Sequence, residues 1–172
     1  MWYRRKIIAQ EEYNFTPPIH AYRGESSGEL RPFDRQETNE NGFFFTPNKD
    51  IASGYAMGKE PNEFHLHGEK VLDLTNDTPE AIEFIRNWAS NWDDEYDWVD
   101  RKTGEQRDPV EVVQSGELFD WEGDWSEQKW RDLQASAENA GYDIVVLPDW
   151  DNQIGMFPSV VVFDPEHIKH VV

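Results

Sequence analysis

Two runs near the C-terminal end of the chain, Tyr142–Leu147 and Ser159–Phe163, are almost unbroken apolar sequence. A short run without polar alternation suits a strand covered on both faces. Upstream the pattern becomes alternating. Ile19 to Gly24 places Ile19, Ala21 and Arg23 on one face and His20, Tyr22 and Gly24 on the other. Phe43-Phe44-Phe45 is a compact apolar strand, Glu63–His67 alternates, and Val71–Leu74 follows a turn at Gly68.

Between these strands the period changes to that of a helix. Thr46-Pro47 reads as a cap followed by a first-turn proline, opening a helix with Ile51 and Tyr55 one turn apart and Ala52 and Ala56 beside them. Gly54 inside that helix forgoes about 1 kcal/mol of propensity, which predicts close packing against a neighbour. Thr78-Pro79-Glu80 opens a second helix carrying Ile82, Ile85, Trp88, Ala89 and Trp92 on one stripe. Ser126 is the expected cap of another, with Trp130, Leu133 and Ala137 inward and Gly141 as its stop.

The remaining stretches are connections. Residues 1–18 read as a short strand or arm (Trp2–Ile8), a charged run (Gln10-Glu11-Glu12) and a break at Pro17-Pro18. Glu25–Asn41 is polar and reads as a surface loop over the site, and Pro148–Pro158 as a loop between the two apolar strands. Asp164-Pro165 is a turn, after which Ile168–Val172 completes the sheet. Strands separated by mixed helices, with no regular strand–helix–strand alternation, predict an α+β fold. The 172 residues are expected to form one domain, 1–172, with an acidic, tryptophan-rich helical insertion at about 85–132.

That insertion holds six of the eight tryptophans, Trp88, Trp92, Trp98, Trp121, Trp125 and Trp130. Gly104, Pro109 and Gly116 interrupt it, so short helices and turns are expected rather than one long helix. Its tryptophans are read as completing the core, the other reading being a partner-binding surface.

Charge narrows the function. A formal net charge of −19 argues against unaided binding to DNA or RNA phosphates, which demand basic surface. Acidity can serve solubility, or it can attract a basic partner or imitate nucleic acid, and the sequence leaves these open. With no cysteine there is no disulfide, thiolate catalysis or cysteine metal site. His65 and His67 share one strand face, but no third ligand cluster accompanies them, so they are read as exposed histidines and no metal site is predicted. No apolar run is long enough for a membrane span, and the first residues lack a signal peptide's apolar core, so a soluble, cytoplasmic protein is expected.

The pieces Tyr22-Arg23-Gly24, Phe44-Phe45-Thr46, Ala52–Ala56, Gly141-Tyr142-Asp143 and Val161–Lys169, in that order, resemble the ADP-ribosyltransferase family. The small phage and polyvalent-protein branch is the nearest part of it, and the resemblance runs from about Ile19 to the end of the chain. It implies a split mixed β-sheet core with flanking helices, and NAD as substrate. In the family's pattern Arg23 contacts the adenosine ribose or a phosphate, with Tyr22 and Gly24 beside it and Gly24 permitting close backbone approach. An arginine next to strand ends and a helix N-terminus is a reasonable anion clamp. Phe45, Thr46 and Tyr55 frame the nicotinamide, although Tyr55 is equally readable as core. Arg31 and Arg35, in the covering loop, can touch a pyrophosphate.

Breaking the bond between nicotinamide and ribose builds positive charge on the sugar, and a carboxylate opposite it normally meets that charge. The resemblance puts a glutamate at the start of the strand matching Ser159–Phe163, where this chain has Ser159. Asp149, Asp151 and Gln153 lie in the preceding stretch, and Asp151 or Gln153 is the expected substitute if that loop folds back. The first functional hypothesis is therefore a phage-encoded mono-ADP-ribosyltransferase that uses NAD to modify a host macromolecule. The alternative is a non-catalytic acidic protein on the same fold that engages a basic host factor, in counter-defence or nucleic-acid mimicry. A third is a virion-associated or structural role.

Overall fold

The computed structural model describes residues 13–25, 30–38, 41–100, 102–120, 124–151 and 153–172. The arm expected at Trp2–Ile8, the run Gln10–Glu12 and parts of the loop after Glu25 lie outside the described residues. Among the described residues seven strands form two sheets. The first is three-stranded and antiparallel, joining β1 (Ile19–Arg23), β3 (Asn62–Leu66) and β7 (Ile168–His170) in the order β1-β3-β7. The second contains β2 (Phe43–Phe45), β4 (Val71–Asp73), β5 (Ile144–Asp151) and β6 (Gly155–Val162), in the order β2-β6-β5-β4. Only β4 and β5 run parallel.

The helices are α1 (Lys49–Tyr55), α2 (Pro79–Ala89), α3 (Pro109–Gln114), α4 (Glu117–Asp120) and α5 (Asp124–Asn139). This is the mixed α+β content expected, arranged in layers. One face of the larger sheet packs on the smaller one, with Ile144, Val146, Val160 and Val162 meeting Ile19, Ala21, Phe64 and Leu66. The opposite face carries Val145, Leu147, Val161 and Phe163 against Ile85, Trp88, Val112 and Leu133 of the helices. Successive residues of β5 and β6 thus enter different cores, which is why both strands read as unbroken apolar runs.

Several local expectations change. Asn48, not Thr46, caps α1, its Oδ1 accepting from the Asp50 and Ile51 N–H groups. Thr46 instead pairs with Tyr22 in an isolated bridge, with N–H to O distances of 2.7 and 2.9 Å. Helix α5 starts at Asp124, so Ser126 lies inside it rather than at its cap. β7 joins the smaller sheet and ends at His170, so the last segment does not complete the sheet that holds β5 and β6.

Gly54 has nothing within 4 Å of where a Cβ would stand, so no tight packing explains it. The crowded glycine is Gly24. A Cβ there would lie 2.0 Å from the Ala52 carbonyl oxygen and 2.7 Å from the Ala56 nitrogen. Its missing side chain lets α1 rest on the end of β1.

The largest change is at 148–158. The stretch is not a loop, because β5 continues to Asp151 and β6 begins at Gly155, with Pro148 opposite Pro158 and Asp149 opposite Phe157. The two prolines are tolerated because the outer neighbours stop short of them. β4 pairs only with Ile144–Val146, and β2 only with Val160–Val162. A missing N–H matters least where one side of the strand has no ladder to feed.

In the acidic segment Trp88, Trp98 and Trp130 are buried and Trp92 partly so. Asp132 accepts from both the Trp88 and Trp92 indole N–H groups at 3.0 Å. These tryptophans extend the helical core, as read from the sequence.

Candidate active site

The two sheets touch through the Tyr22–Thr46 bridge and part beyond it. At this seam lies a cleft of about 300 Å³. The end of β1 contributes Tyr22, Arg23 and Gly24, and the end of β2 contributes Phe44, Phe45 and Thr46. Ala52 and Tyr55 of α1 form another wall, and the β5–β6 hairpin supplies Asp149, Phe157 and Ser159. Trp130 of α5 closes one side, stacked on Phe44 with ring centroids 6.3 Å apart.

Arg23 follows Ile19 and Ala21 on the inward face of β1, where the buried part of the strand runs out. Its Nε donates to Glu25 Oε1 at 2.7 Å and its Nη1 to the Phe44 carbonyl at 3.1 Å. The guanidinium lies over the Phe33 and Phe45 rings, 5.4 and 5.9 Å from their centroids. Such contacts hold a guanidinium in one orientation before any ligand arrives. Arg23 also lines a second cavity of about 240 Å³, with Arg31, Glu25, Asp34 and Glu37. Arg35 is elsewhere. It makes two hydrogen bonds to the Glu138 carboxylate (2.8 and 3.0 Å) and one to the Phe163 carbonyl (2.9 Å), so it ties the loop to α5 and β6.

Opposite in sign is Asp149, buried at 8 % exposure. The Ser159 hydroxyl donates to its Oδ2 at 2.7 Å, and the Trp150 N–H to its Oδ1 at 2.7 Å. Tyr55 is not core but half-exposed at the cleft. Its phenol is pushed up to about 12, first by burial of part of the ring and then by the carboxylates of Asp149 and Asp151. At neutral pH it is therefore a hydrogen-bond donor.

Of the residues singled out in the sequence, Tyr22, Arg23, Gly24, Phe45, Thr46, Tyr55 and Ser159 converge on this cleft. Asp151 and Gln153 do not line it. The Asp151 carboxylate accepts from the Gln153 and Ile154 N–H groups and so builds the hairpin turn. At the N-terminus of α1 the Asp50 and Ile51 N–H groups are taken by Asn48 Oδ1. Phe44 and Trp130 read as strand and helix core positions and Phe157 as part of a loop, and neither period nor a loop boundary says which residue faces a cavity. Among the described residues no group of three or more His, Asp or Glu side chains could hold a metal ion. No helix among them is long and apolar enough to cross a membrane.

The fold is thus α+β, with a cleft that has an arginine at one wall and a carboxylate at another. Residues 17–172 match the family model described as ADP-ribosyltransferase in polyvalent proteins, and the chain belongs to that family. Neither the curated proteins nor the solved structures contain a match to it.

Proposed function

We propose that this protein is a mono-ADP-ribosyltransferase that binds NAD in the cleft and transfers its ADP-ribose to a host macromolecule. The observation that carries the reading is the convergence of Tyr22, Arg23, Gly24, Phe45, Thr46, Tyr55 and Ser159 on one cavity. The nicotinamide ring lies among Phe44, Phe45 and Tyr55, where flat apolar faces suit it. The pyrophosphate reaches Arg23, whose position between the two cavities lets the adenosine half extend toward Arg31. Strong net acidity disfavours an anion in general, so Arg23 has to supply the attraction locally.

Mechanistically the chain has two tasks. Holding both ends of the dinucleotide fixes the bond between nicotinamide and ribose in one place. Supplying negative charge where the sugar becomes positive lowers the barrier. Titration with NAD while following tryptophan fluorescence tests the first, since Trp130 lines the cleft, and release of nicotinamide tests the second. Saturable quenching with release is expected, and loss of both in Arg23→Ala. No response at millimolar NAD overturns the reading.

The acceptor is proposed to be basic. Among the described residues the buried charges cancel, Arg107 and Lys129 against Asp97 and Asp149, so the formal net charge of −19 is carried by the surface. Complementary charge raises encounter rates and is screened by salt. Modification of a basic acceptor is expected to slow steeply between low and physiological salt, and salt-independent modification would count against this assignment. A non-catalytic acidic binder remains the second reading, and it is favoured if such a partner binds without consuming NAD.

A further inference from the structure

We infer that Asp149 is the carboxylate that meets the positive charge on the ribose, with Ser159 as its positioning residue. The inference rests on the ADP-ribosyltransferase reading and deepens it.

Leu147 faces Ser159 and Asp149 faces Phe157, so Asp149 and Ser159 are diagonal neighbours on one side of the β5–β6 ladder. Diagonal neighbours are within reach of each other, and here the Ser159 hydroxyl donates to Asp149 Oδ2 at 2.7 Å. Position 159 thus does not hold the charge. It orients a charge that arrives from the adjacent strand. With the Trp150 N–H on Oδ1, each carboxylate oxygen has a donor that fixes its direction.

Asp149 is buried, and it lines the cleft. Burial at an opening to a cavity is the situation in which a carboxylate acts strongly on a ligand, because little water intervenes. The rival acidic group, Asp151, does not line the cleft; its carboxylate builds the hairpin turn through two backbone N–H groups. Gln153 carries no charge and is exposed. The cleft therefore has a positive wall at Arg23 and a negative one at Asp149. That polarity matches NAD, which is anionic at its pyrophosphate and cationic at its pyridinium end.

In the reaction, the bond between ribose C1′ and the nicotinamide ring nitrogen breaks and its electron pair leaves with the ring, giving neutral nicotinamide. The positive charge passes to the sugar, where Asp149 opposes it. The acceptor, or water in its absence, adds a lone pair to C1′. Its proton passes to the Asp149 carboxylate and from there to solvent.

The test measures NAD affinity by fluorescence and nicotinamide release on the full chain and its variants, each checked by thermal melting. Asp149→Asn is expected to release nicotinamide ~10²–10³-fold more slowly at saturating NAD, a loss well beyond any accompanying fall in NAD affinity. Ser159→Ala, which loses only the orienting hydroxyl, is expected to lose roughly tenfold in turnover, consistent with one hydrogen bond to a charge. The exchanged pair Asp149→Ser with Ser159→Asp returns the carboxylate to the cleft from the neighbouring strand, and is expected to exceed Asp149→Asn by about tenfold or more.

Turnover in Asp149→Asn within threefold of native overturns the inference alone, leaving the enzyme reading standing. A native protein that neither binds NAD nor releases nicotinamide overturns both. Binding without release in the native protein overturns the transferase reading and, with it, the role given to Asp149. Should Asp149→Asn melt too low to assay, the exchanged pair decides, and turnover at background in a folded exchanged pair overturns the assignment.

Discussion

Two arginines of this protein, Arg107 buried in the acidic segment and Arg23 half-buried at the cleft, show how differently the same side chain can be used. Arg107 has a side chain only 4 % exposed and is ringed by carboxylates, with Glu117 at 2.8 Å, Glu111 at 3.5 Å and Asp100 at 3.8 Å. Lys129 nearby is treated alike, held 3.6 Å from Asp97 with its ammonium over the Trp92 and Trp98 rings. Arg23 is 28 % exposed, has one carboxylate partner, and lines two cavities. A cation enclosed by the chain's own acids holds short helices together. A cation clamped from one side and open on the other can be offered to a ligand. The two differ in burial and in the empty volume beside them, which only Arg23 has been shown to border.

Arg107→Ala puts the strongest strain on this contrast. It leaves three carboxylates facing one another, and it should lower unfolding free energy by about 3 kcal/mol, the low end for breaking a buried pair because its partners are partly exposed. Urea denaturation measures this, and NAD affinity of the folded fraction should not change. Arg23→Ala should behave oppositely. We expect NAD affinity to fall ~10–100-fold, the scale of one or two charge-assisted hydrogen bonds, with stability altered by ~1 kcal/mol or less. If Arg23→Ala instead unfolds the protein and Arg107→Ala abolishes NAD binding, the contrast is inverted and wrong.

Gly24→Ala should affect both properties. The added methyl meets the α1 backbone, which cannot swing away as a side chain can. A loss of about 1–3 kcal/mol is expected from overpacking, together with weaker NAD binding as α1 and Tyr55 shift. Unchanged stability would mean that α1 is not seated on β1 as described.

The smallest effect lies at alkaline pH. The phenols of Tyr55 and Tyr142 are both pushed up to about 12, chiefly by burial, with Glu80 hydrogen-bonded to Tyr142. Their ordinary value is near 10, so between pH 10 and 12 the unfolded chain loses these protons first. Stability should therefore fall as pH rises through that window. Tyr142→Phe should flatten the fall without touching NAD binding, whereas Tyr55→Phe should flatten it and weaken binding. Equal slopes in native and both variants, by denaturant titration at each pH, would refute the assignment.

Much of the architecture can be read from periodicity. Thr78 does cap α2, Ile85 and Trp88 do point inward, and β2, β3 and β4 form where the apolar runs stand. Misreadings cluster where a local signal had two meanings. Pro148 and Pro158 look like strand breakers, yet they fall where the neighbouring strands have ended. Thr46-Pro47 has the form of a cap, yet Thr46 is engaged across to Tyr22 and Asn48 takes the cap. Both outcomes depend on a strand distant in sequence, which no local window contains. The cleft follows the same division. Residues on the strand ends of β1 and β2 were legible because a single short motif carries each of them. Asp149 was named with Asp151 and Gln153 but the latter two were preferred, because its place beside Ser159 depends on extending the hairpin.

By itself the sequence determined which segments seek burial, since the side chains that must leave water are spaced along the chain at intervals that name their own strand or helix. It also determined the charge, and the resemblance that named a chemistry. Only the tertiary structure decided which polar groups meet. The pairing of Asp149 with Ser159, and the enclosure of Arg107 in contrast to Arg23, depend on strand register and layer packing, in which residues far apart in the chain compete for the same few ångströms.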